Sequence, residues 1–207
     1  MLHTTCLTTL FLSLWTTSHA FGALTVISGV SNANQWFEGA GSYTSISFTG
    51  YPYATSIAEQ YASLGVHFRT NSPYGLYING SETVAMEMYP QDNWGLIGWG
   101  TIEMNFDDAM YGVAGFHPGH VRAKFYSGDR LVYSWIGPEG SGEWFTFHGF
   151  IGDDAFDRAV FEGVLMGYPG PQFPMLTFDS LYFTNVPAPS AVLCLLGGLL
   201  TLAQRRR

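Results

Sequence analysis

Aspartates gathered in one short stretch are the side chains of this sequence best suited to hold a cation. Asp153, Asp154 and Asp157 fall within residues 152–157, which begin with a glycine and are predicted to form a loop. Ca²⁺ takes roughly six to eight oxygen ligands, and three carboxylates in one loop would supply several of them. Asp and Gly are also ordinary turn residues, and the spacing is not that of an EF-hand. Two interpretations stay open, a Ca²⁺ site or a turn without a ligand, and no other cofactor is expected.

Asp107, Asp108 and Asp179 carry the same ambiguity. Asp179 lies inside an otherwise apolar segment, residues 176–183, that is predicted to be a strand. If its side chain points inward, it needs a cation or several hydrogen-bond donors, because a bare buried carboxylate is costly. If it points outward, strand alternation alone explains it.

Two tryptophans in a Gly-rich stretch suggest a second kind of site, one for a sugar. Asp92 and Asn93 directly precede Trp94, and Trp99 follows a few residues later in a predicted loop. Aromatic faces can pack on a sugar ring while a few placed polar groups bind its hydroxyls. The alternative is that one or both tryptophans plug the end of the folded domain.

The histidines give a weaker indication of a metal site. His117 and His120 flank a predicted tight turn, where they would offer two ligands to Zn²⁺ or Cu²⁺. A closed structural zinc site has about four ligands, and the central part of the chain has no cysteine to complete one. His67 and His148 stand singly in predicted strands and are interpreted as packed or surface residues.

Motifs typical of catalysis are missing from the sequence. It contains no G-x-S-x-G, no H-E-x-x-H and no P-loop. Paired carboxylates for glycoside hydrolysis are defined by their separation in space, so sequence spacing does not exclude them. We therefore expect a non-catalytic protein, with a carbohydrate-binding module or a small glycan-active hydrolase as the alternatives.

Short strands separated by turn residues must position these side chains. Residues 121–126 alternate apolar and polar side chains, which predicts a half-buried antiparallel strand, and Ser127, Gly128 and Asp129 are typical of a hairpin turn. In residues 43–48, Thr44, Ile46 and Phe48 are expected to face inward. The predicted strands are 43–48, 66–68, 83–88, 101–106, 111–116, 120–126, 130–136, 144–150, 158–165 and 176–183.

One helix interrupts this pattern, over residues 56–64. Ser56 and Glu59 have the spacing of a capping box, and Ile57, Tyr61 and Leu64 share one helical face; the next residue, Gly65, would end the helix in the left-handed conformation. The predicted fold class is therefore all-β, an antiparallel β-sandwich with one short helix.

Both ends of the chain differ from the central body, residues 21–185. Residues 1–20 have an apolar segment followed by Ser18 and Ala20, the small residues that a signal peptidase recognises, so we expect a signal helix cleaved after Ala20. Both cysteines, Cys6 and Cys194, lie outside the body, so the body cannot be held together by a disulfide.

The C-terminal tail, residues 186–207, has three parts. Pro187 and Pro189 disfavour continuous helix with the body, and an uncharged run, 191–203, follows. Counted from the start of the tail, the run is long enough for a transmembrane helix, with the basic residues on the cytoplasmic side and the body outside. The alternative is a buried C-terminal helix with a basic end. The basic residues are Arg205, Arg206 and Arg207.

Charge separates the body from the tail. Three of the eight Lys and Arg residues are the terminal arginines, so the body keeps five against all sixteen acidic residues, a formal charge of −11. A surface this acidic argues against nucleic acid as a partner. It suits divalent cations or neutral sugars better.

The tail resembles the PEP-CTERM sorting signal of Gram-negative bacteria. Val186, Pro187, Pro189 and Ser190 match its motif, while Ala188 stands where that family usually has Glu. The resemblance implies transient membrane anchoring, recognition by an exosortase in the inner membrane, and release to the cell surface or extracellular matrix.

The body in turn is similar to the jelly-roll domain of many PEP-CTERM proteins. The similarity spans most of residues 55–185 and lies in the order of its segments. Residues 59–68 come first, followed by residues 111–118, a strand-turn-strand that ends in aromatic residues, and residues 176–183. It implies a carbohydrate-binding-like sandwich with polysaccharide as a partner.

Overall fold

A computed structural model describes residues 22–80, 94–117, 121–137, 146–163 and 175–187. In these ranges the chain forms antiparallel strands and one α-helix. The helix is α1 (Ala33–Ala40). The strands are β1 (Leu24–Ser28), β2 (Thr44–Ile46), β3 (Val66–Arg69), β4 (Leu76–Gly80), β5 (Trp94–Trp99), β6 (Thr101–His117), β7 (Val121–Ser127), β8 (Arg130–Ile136), β9 (Thr146–Gly163), β10 (Met175–Phe178) and β11 (Leu181–Thr184).

Two long strands, β6 and β9, form the centre of the fold. They pair antiparallel from Thr101 opposite Glu162 to His117 opposite Thr146. Their register shifts twice around Met110. Register shifts of this kind are bulges, which bend a strand and increase its twist.

The neighbours of β6 and β9 differ on the two sides of this bend. Before it, β6 pairs with β3, and the second half of β9 pairs with β7, which pairs with β8. Beyond it, β6 pairs with β11, β11 pairs with β2, and the first half of β9 pairs with β1. The sheet therefore folds over at the bend into two layers.

Aromatic side chains fill the space between the layers. The ring of Phe125 on β7 lies 5.1 Å from that of Phe150, in the other half of β9, and 5.0 Å from that of Phe156. Trp135 on β8 also packs on Phe150, with ring centroids 5.2 Å apart. The predicted antiparallel β-sandwich is confirmed, and so are the inward positions of Ile46 and Phe48.

A second, smaller sheet closes one end of this core. Its strand order is β10, β5, β4. Leu76, Leu96 and Leu176 are buried on its inner face, and Phe178 packs edge-on against Phe161 at 5.0 Å.

The helix α1 covers the outer face of the sandwich and was not predicted. Trp36 is fully buried there, and its indole N–H donates to the carbonyl of Phe150 at 3.2 Å. Gly149 makes room for it, since a Cβ at that position would overlap the indole ring. Local sequence did not reveal this helix because Trp36 is buried by contacts with distant strands, namely β6, β9 and β11.

The helix predicted over residues 56–64 is wrong. Ser56 forms an isolated bridge with Tyr77, and the N–H of Ile57 donates to the carbonyl of Leu76. Only Ala62–Leu64 forms a 3₁₀ turn, which Gly65 ends with φ 75°, as predicted for a left-handed residue. Here the backbone of residues 56–58 pairs with neighbouring strands and does not form the helix that the local capping pattern predicts.

Several strand boundaries also differ from prediction. Segments 101–106 and 111–116 merge into β6, and 144–150 and 158–165 merge into β9. Segment 176–183 instead divides into β10 and β11. The predicted strand 83–88 lies outside the described residues. In the described ranges, no helix has the length and apolarity needed to cross a membrane.

Candidate functional site

The aspartates of residues 152–157 lie in strand β9 and not in a loop, which corrects the prediction. Their carboxylates bind backbone. Asp154 accepts the N–H of Gly22 at 3.0 Å, and Asp153 accepts the N–H of Ala23 at 3.3 Å. Both therefore hold the segment that leads into β1.

Asp157 contacts a different part of the chain. Its carboxylate accepts the N–H of Gly128, at 2.8 Å, in the turn between β7 and β8. The three predicted Ca²⁺ ligands thus serve two separate backbone segments. Among the described residues, no group of three or more His, Cys, Asp or Glu is placed to hold a metal ion.

Asp179 points inward and is fully buried in the break between β10 and β11. Its N–H donates to the carbonyl of Phe116 at 3.0 Å, which keeps the chain beside β6 across the break. The hydroxyl of Ser180 donates to its carboxylate at 3.4 Å. A donor is what a buried carboxylate requires.

The two candidate tryptophans lie in strand β5, not in a loop, and on opposite faces of it. Trp94 is half-buried and packs against the main core. Trp99 is 37% exposed, and its ring meets that of Tyr74 edge-on at 6.5 Å. We call Tyr74 and Trp99 the exposed aromatic pair. Asp92 and Asn93 lie outside the described residues.

Two histidines meet inside the sandwich, a contact that the sequence did not indicate. His117 ends β6 and is fully buried, whereas His120 lies outside the described residues. His148 is also buried, and burial lowers its pKa to about 4. No described residue forms a hydrogen bond with its Nδ1. His148 therefore packs as a neutral ring, because burial disfavours the charged imidazolium.

A third histidine forms the main charged cluster on the surface. His67 contacts Glu59 through Nδ1 and Asp107 through Nε2, the latter at 3.0 Å. These hydrogen bonds raise the pKa of His67, and the bond from His67 lowers the pKa of Glu59. Arg69 adds a 2.9 Å ion pair to Glu59. The cluster joins β3 to the bend of β6.

A groove of about 270 Å³ lies beside this bend. Its walls come from the β2 region, the 3₁₀ turn, the bend of β6 and the end of β11. The lining residues are Ser42, Tyr43, Thr44, Leu64, Asp108, Met110, Phe183, Thr184 and Asn185. Of these residues, Asp108 was a candidate cation ligand from the sequence, because it stands next to Asp107.

The start of the C-terminal tail, residues 186–207, lies at the surface. Residues 185–187 are exposed, and the N–H of Val186 donates to the hydroxyl of Thr184 at 3.1 Å. Val186 and Pro187 therefore follow directly from the last strand. Pro189, Ser190 and Arg205, Arg206 and Arg207 lie outside the described residues.

Fold and surface together define an all-β sandwich protein with a polar groove at the bend of its main sheet. No protein family model matches this chain, and no curated protein is significantly similar to it.

Proposed function

We propose that this chain is an exported, non-catalytic envelope or matrix protein, held in the inner membrane by its sorting tail until an exosortase releases it. The observation that carries the proposal is the position of the tail. Strand β11 is paired on both sides, with β6 and β2, and the chain leaves it directly into exposed residues. Cleavage in the tail would therefore leave every described strand in place.

The proposal assigns a role to each end of the chain. Signal peptidase removes residues 1–20, the tail helix keeps the protein in the membrane, and Arg205, Arg206 and Arg207 stay on the cytoplasmic side. The sandwich, which we place in the jelly-roll class, is then displayed outside the inner membrane. Its acidic surface keeps it soluble after release.

Mass spectrometry of protein released from cells that carry an exosortase tests this proposal. The mature form should begin at Phe21 and end near Pro187. Replacing the three terminal arginines with Gln should reduce membrane retention and release, while Arg130→Gln, a charge removed from the body, should change neither. Released protein with an intact arginine end would contradict the proposal.

Polysaccharide binding through the exposed aromatic pair is the second candidate function. Tyr74 is 60% exposed and Trp99 37% exposed, and Met175 lies opposite Trp99 in the register of the small sheet. Exposed aromatic faces suit sugar rings. Co-sedimentation with insoluble polysaccharides should fall in Trp99→Ala and persist in Tyr53→Ala, which removes another exposed aromatic ring. Equal sedimentation of both variants would refute this role.

A further inference from the structure

The groove beside the bend of β6 is formed by a break in strand alternation. Ahead of the bend, alternate residues of β6 are buried, but Asp107, Asp108 and Ala109 are exposed in succession before Met110 turns inward. Bulges commonly re-aim a side chain beside a functional site. Here the bulge sends neighbouring carboxylates to different places, Asp107 to His67 and Asp108 to the groove.

The groove is lined mainly by polar groups that are uncommitted. Leu64 supplies its exposed apolar surface, because Met110 and Phe183 are buried. Asp108 makes no hydrogen bond or ion pair with the described residues, and its carboxylate is therefore available as an acceptor.

Further polar groups line the same space. The hydroxyls of Ser42 and Thr44 and the amide of Asn185 are likewise uncommitted within the described ranges. Only Thr184 is occupied, because its hydroxyl bonds the carbonyl of Ser42 and the N–H of Val186. The free groups offer both donors and acceptors, which suits a ligand with several hydroxyls.

Size restricts the ligand further. The groove has a volume of about 270 Å³ and is open to solvent on one side. Its volume is close to the lower end of known small-molecule sites, which begin near ~300 Å³. A groove of this size suits a ligand of one sugar ring.

We propose that this groove binds a single pyranose unit, such as the terminal sugar of a polysaccharide. Leu64 lies beside the ring, and Asp108 accepts hydrogen bonds from its hydroxyls. The site is separate from the exposed aromatic pair, which lies at the end of β5 and ahead of β4, away from the bend of β6. Binding itself does not depend on export or tail cleavage; only the natural source of the sugar rests on the proposed envelope location.

Titration of the purified full-length chain with a panel of methyl pyranosides tests the proposal. The panel contains glucose, galactose, mannose, glucosamine and N-acetylglucosamine derivatives. Calorimetry and saturation-transfer NMR measure the binding of each. At least one should bind with a Kd of about 1 mM or below. Asp108→Asn should weaken it by about tenfold, since Asn keeps an acceptor oxygen but loses the charge that strengthens the hydrogen bonds.

Two matched variants separate the groove from general charge effects. Asp129→Asn removes the same charge from an exposed turn, and Asp107→Asn removes it from the neighbouring residue that pairs with His67. Both should bind the pyranoside as the unchanged protein does. Melting curves of all variants check that the fold is intact.

Three results would overturn the proposal. One is that no pyranoside binds at a concentration of about 10 mM, which is about ten times the largest expected Kd. Another is equal affinity of Asp108→Asn and Asp129→Asn. The third is binding that survives Asp108→Asn but is lost in Trp99→Ala, which would place the sugar on the exposed aromatic pair. None of these results bears on tail cleavage, which mass spectrometry tests separately.

Discussion

His117 and His148 stack ring on ring inside the sandwich, with centroids 4.6 Å apart and planes 21° apart. Trp135 lies 5.0 Å from the ring of His148, and Phe178 lies 5.1 Å from that of His117. The two imidazoles therefore take the place of aromatic core residues. A charge on the ring of His148 would be buried beside apolar groups, which is costly.

Acid should destabilise the fold through His148. Its pKa is about 4 in the folded protein because of burial, against an ordinary value of about 6.5. The unfolded chain thus binds a proton more readily, and the free energy of unfolding falls as pH drops from about 6.5 to 4, by a total of about 3 kcal/mol. Urea unfolding at several pH values measures this.

A variant that cannot titrate provides the control for His148. His148→Phe keeps an aromatic ring in the core and should flatten the acid limb of the stability profile. An acid limb that is equally steep in His148→Phe would show that other groups cause it.

His67 should have the opposite pH dependence. Its pKa is raised by hydrogen bonds to Glu59 and Asp107, so its contribution to stability is fully present below the ordinary histidine pKa and is lost as pH rises through the raised value. His67→Gln should therefore be most destabilising near pH 5 and least destabilising near pH 9. Asp107→Asn should follow the same trend and Asp129→Asn should not; a pH-independent loss in His67→Gln would contradict the assignment.

Trp36 and Gly149 should be energetically coupled. Trp36→Ala empties a fully buried site and should cost about 3–5 kcal/mol. Gly149→Ala should also destabilise the protein, because the new Cβ overlaps the indole ring. In the background of Trp36→Leu the cost of Gly149→Ala should shrink, which a double-mutant cycle of chemical unfolding would measure. Strict additivity would mean that the two residues do not meet.

Calcium should stabilise the described body no more than sodium does. The carboxylates of Asp153 and Asp154 hold residues 22 and 23, whereas that of Asp157 holds Gly128, so they do not converge on one ion. Screening of the net negative charge should raise Tm equally in Ca²⁺ and in Na⁺ at matched ionic strength. A rise in Tm that is specific to Ca²⁺ and disappears in Asp153→Asn/Asp154→Asn would contradict this and favour the Ca²⁺ site that the sequence left open.

The candidate groove was only partly visible in the sequence. Asp108 stood out as a neighbour of Asp107, but nothing in the order of residues showed that the two side chains separate. That separation needs the bulge in β6, and the bulge exists only in the pairing of β6 with β9. Ser42, Thr44 and Asn185, distant from Asp108 in sequence, join it because β2 and β11 lie at the same edge.

Local patterns determined those elements whose partners are close in sequence. Alternation in residues 121–126 gave the correct buried face, and Gly128 and Asp129 form the predicted turn between β7 and β8. Both follow from side-chain periodicity and backbone preference, which act over a few residues. The aromatic and β-branched composition also determined the all-β class.

Tertiary structure decided the conformation of those segments whose backbone hydrogen bonds or buried rings have partners distant in sequence. Residues 56–58 carry a helix-capping pattern, yet their backbone bonds go to Leu76 and Phe68. Residues 33–40 carry no comparable signal, yet they form α1 because Trp36 is buried against β9. Local preferences amount to about 1 kcal/mol or less per residue, whereas burying one such ring contributes several times that, so long-range contacts settle any conflict between the two.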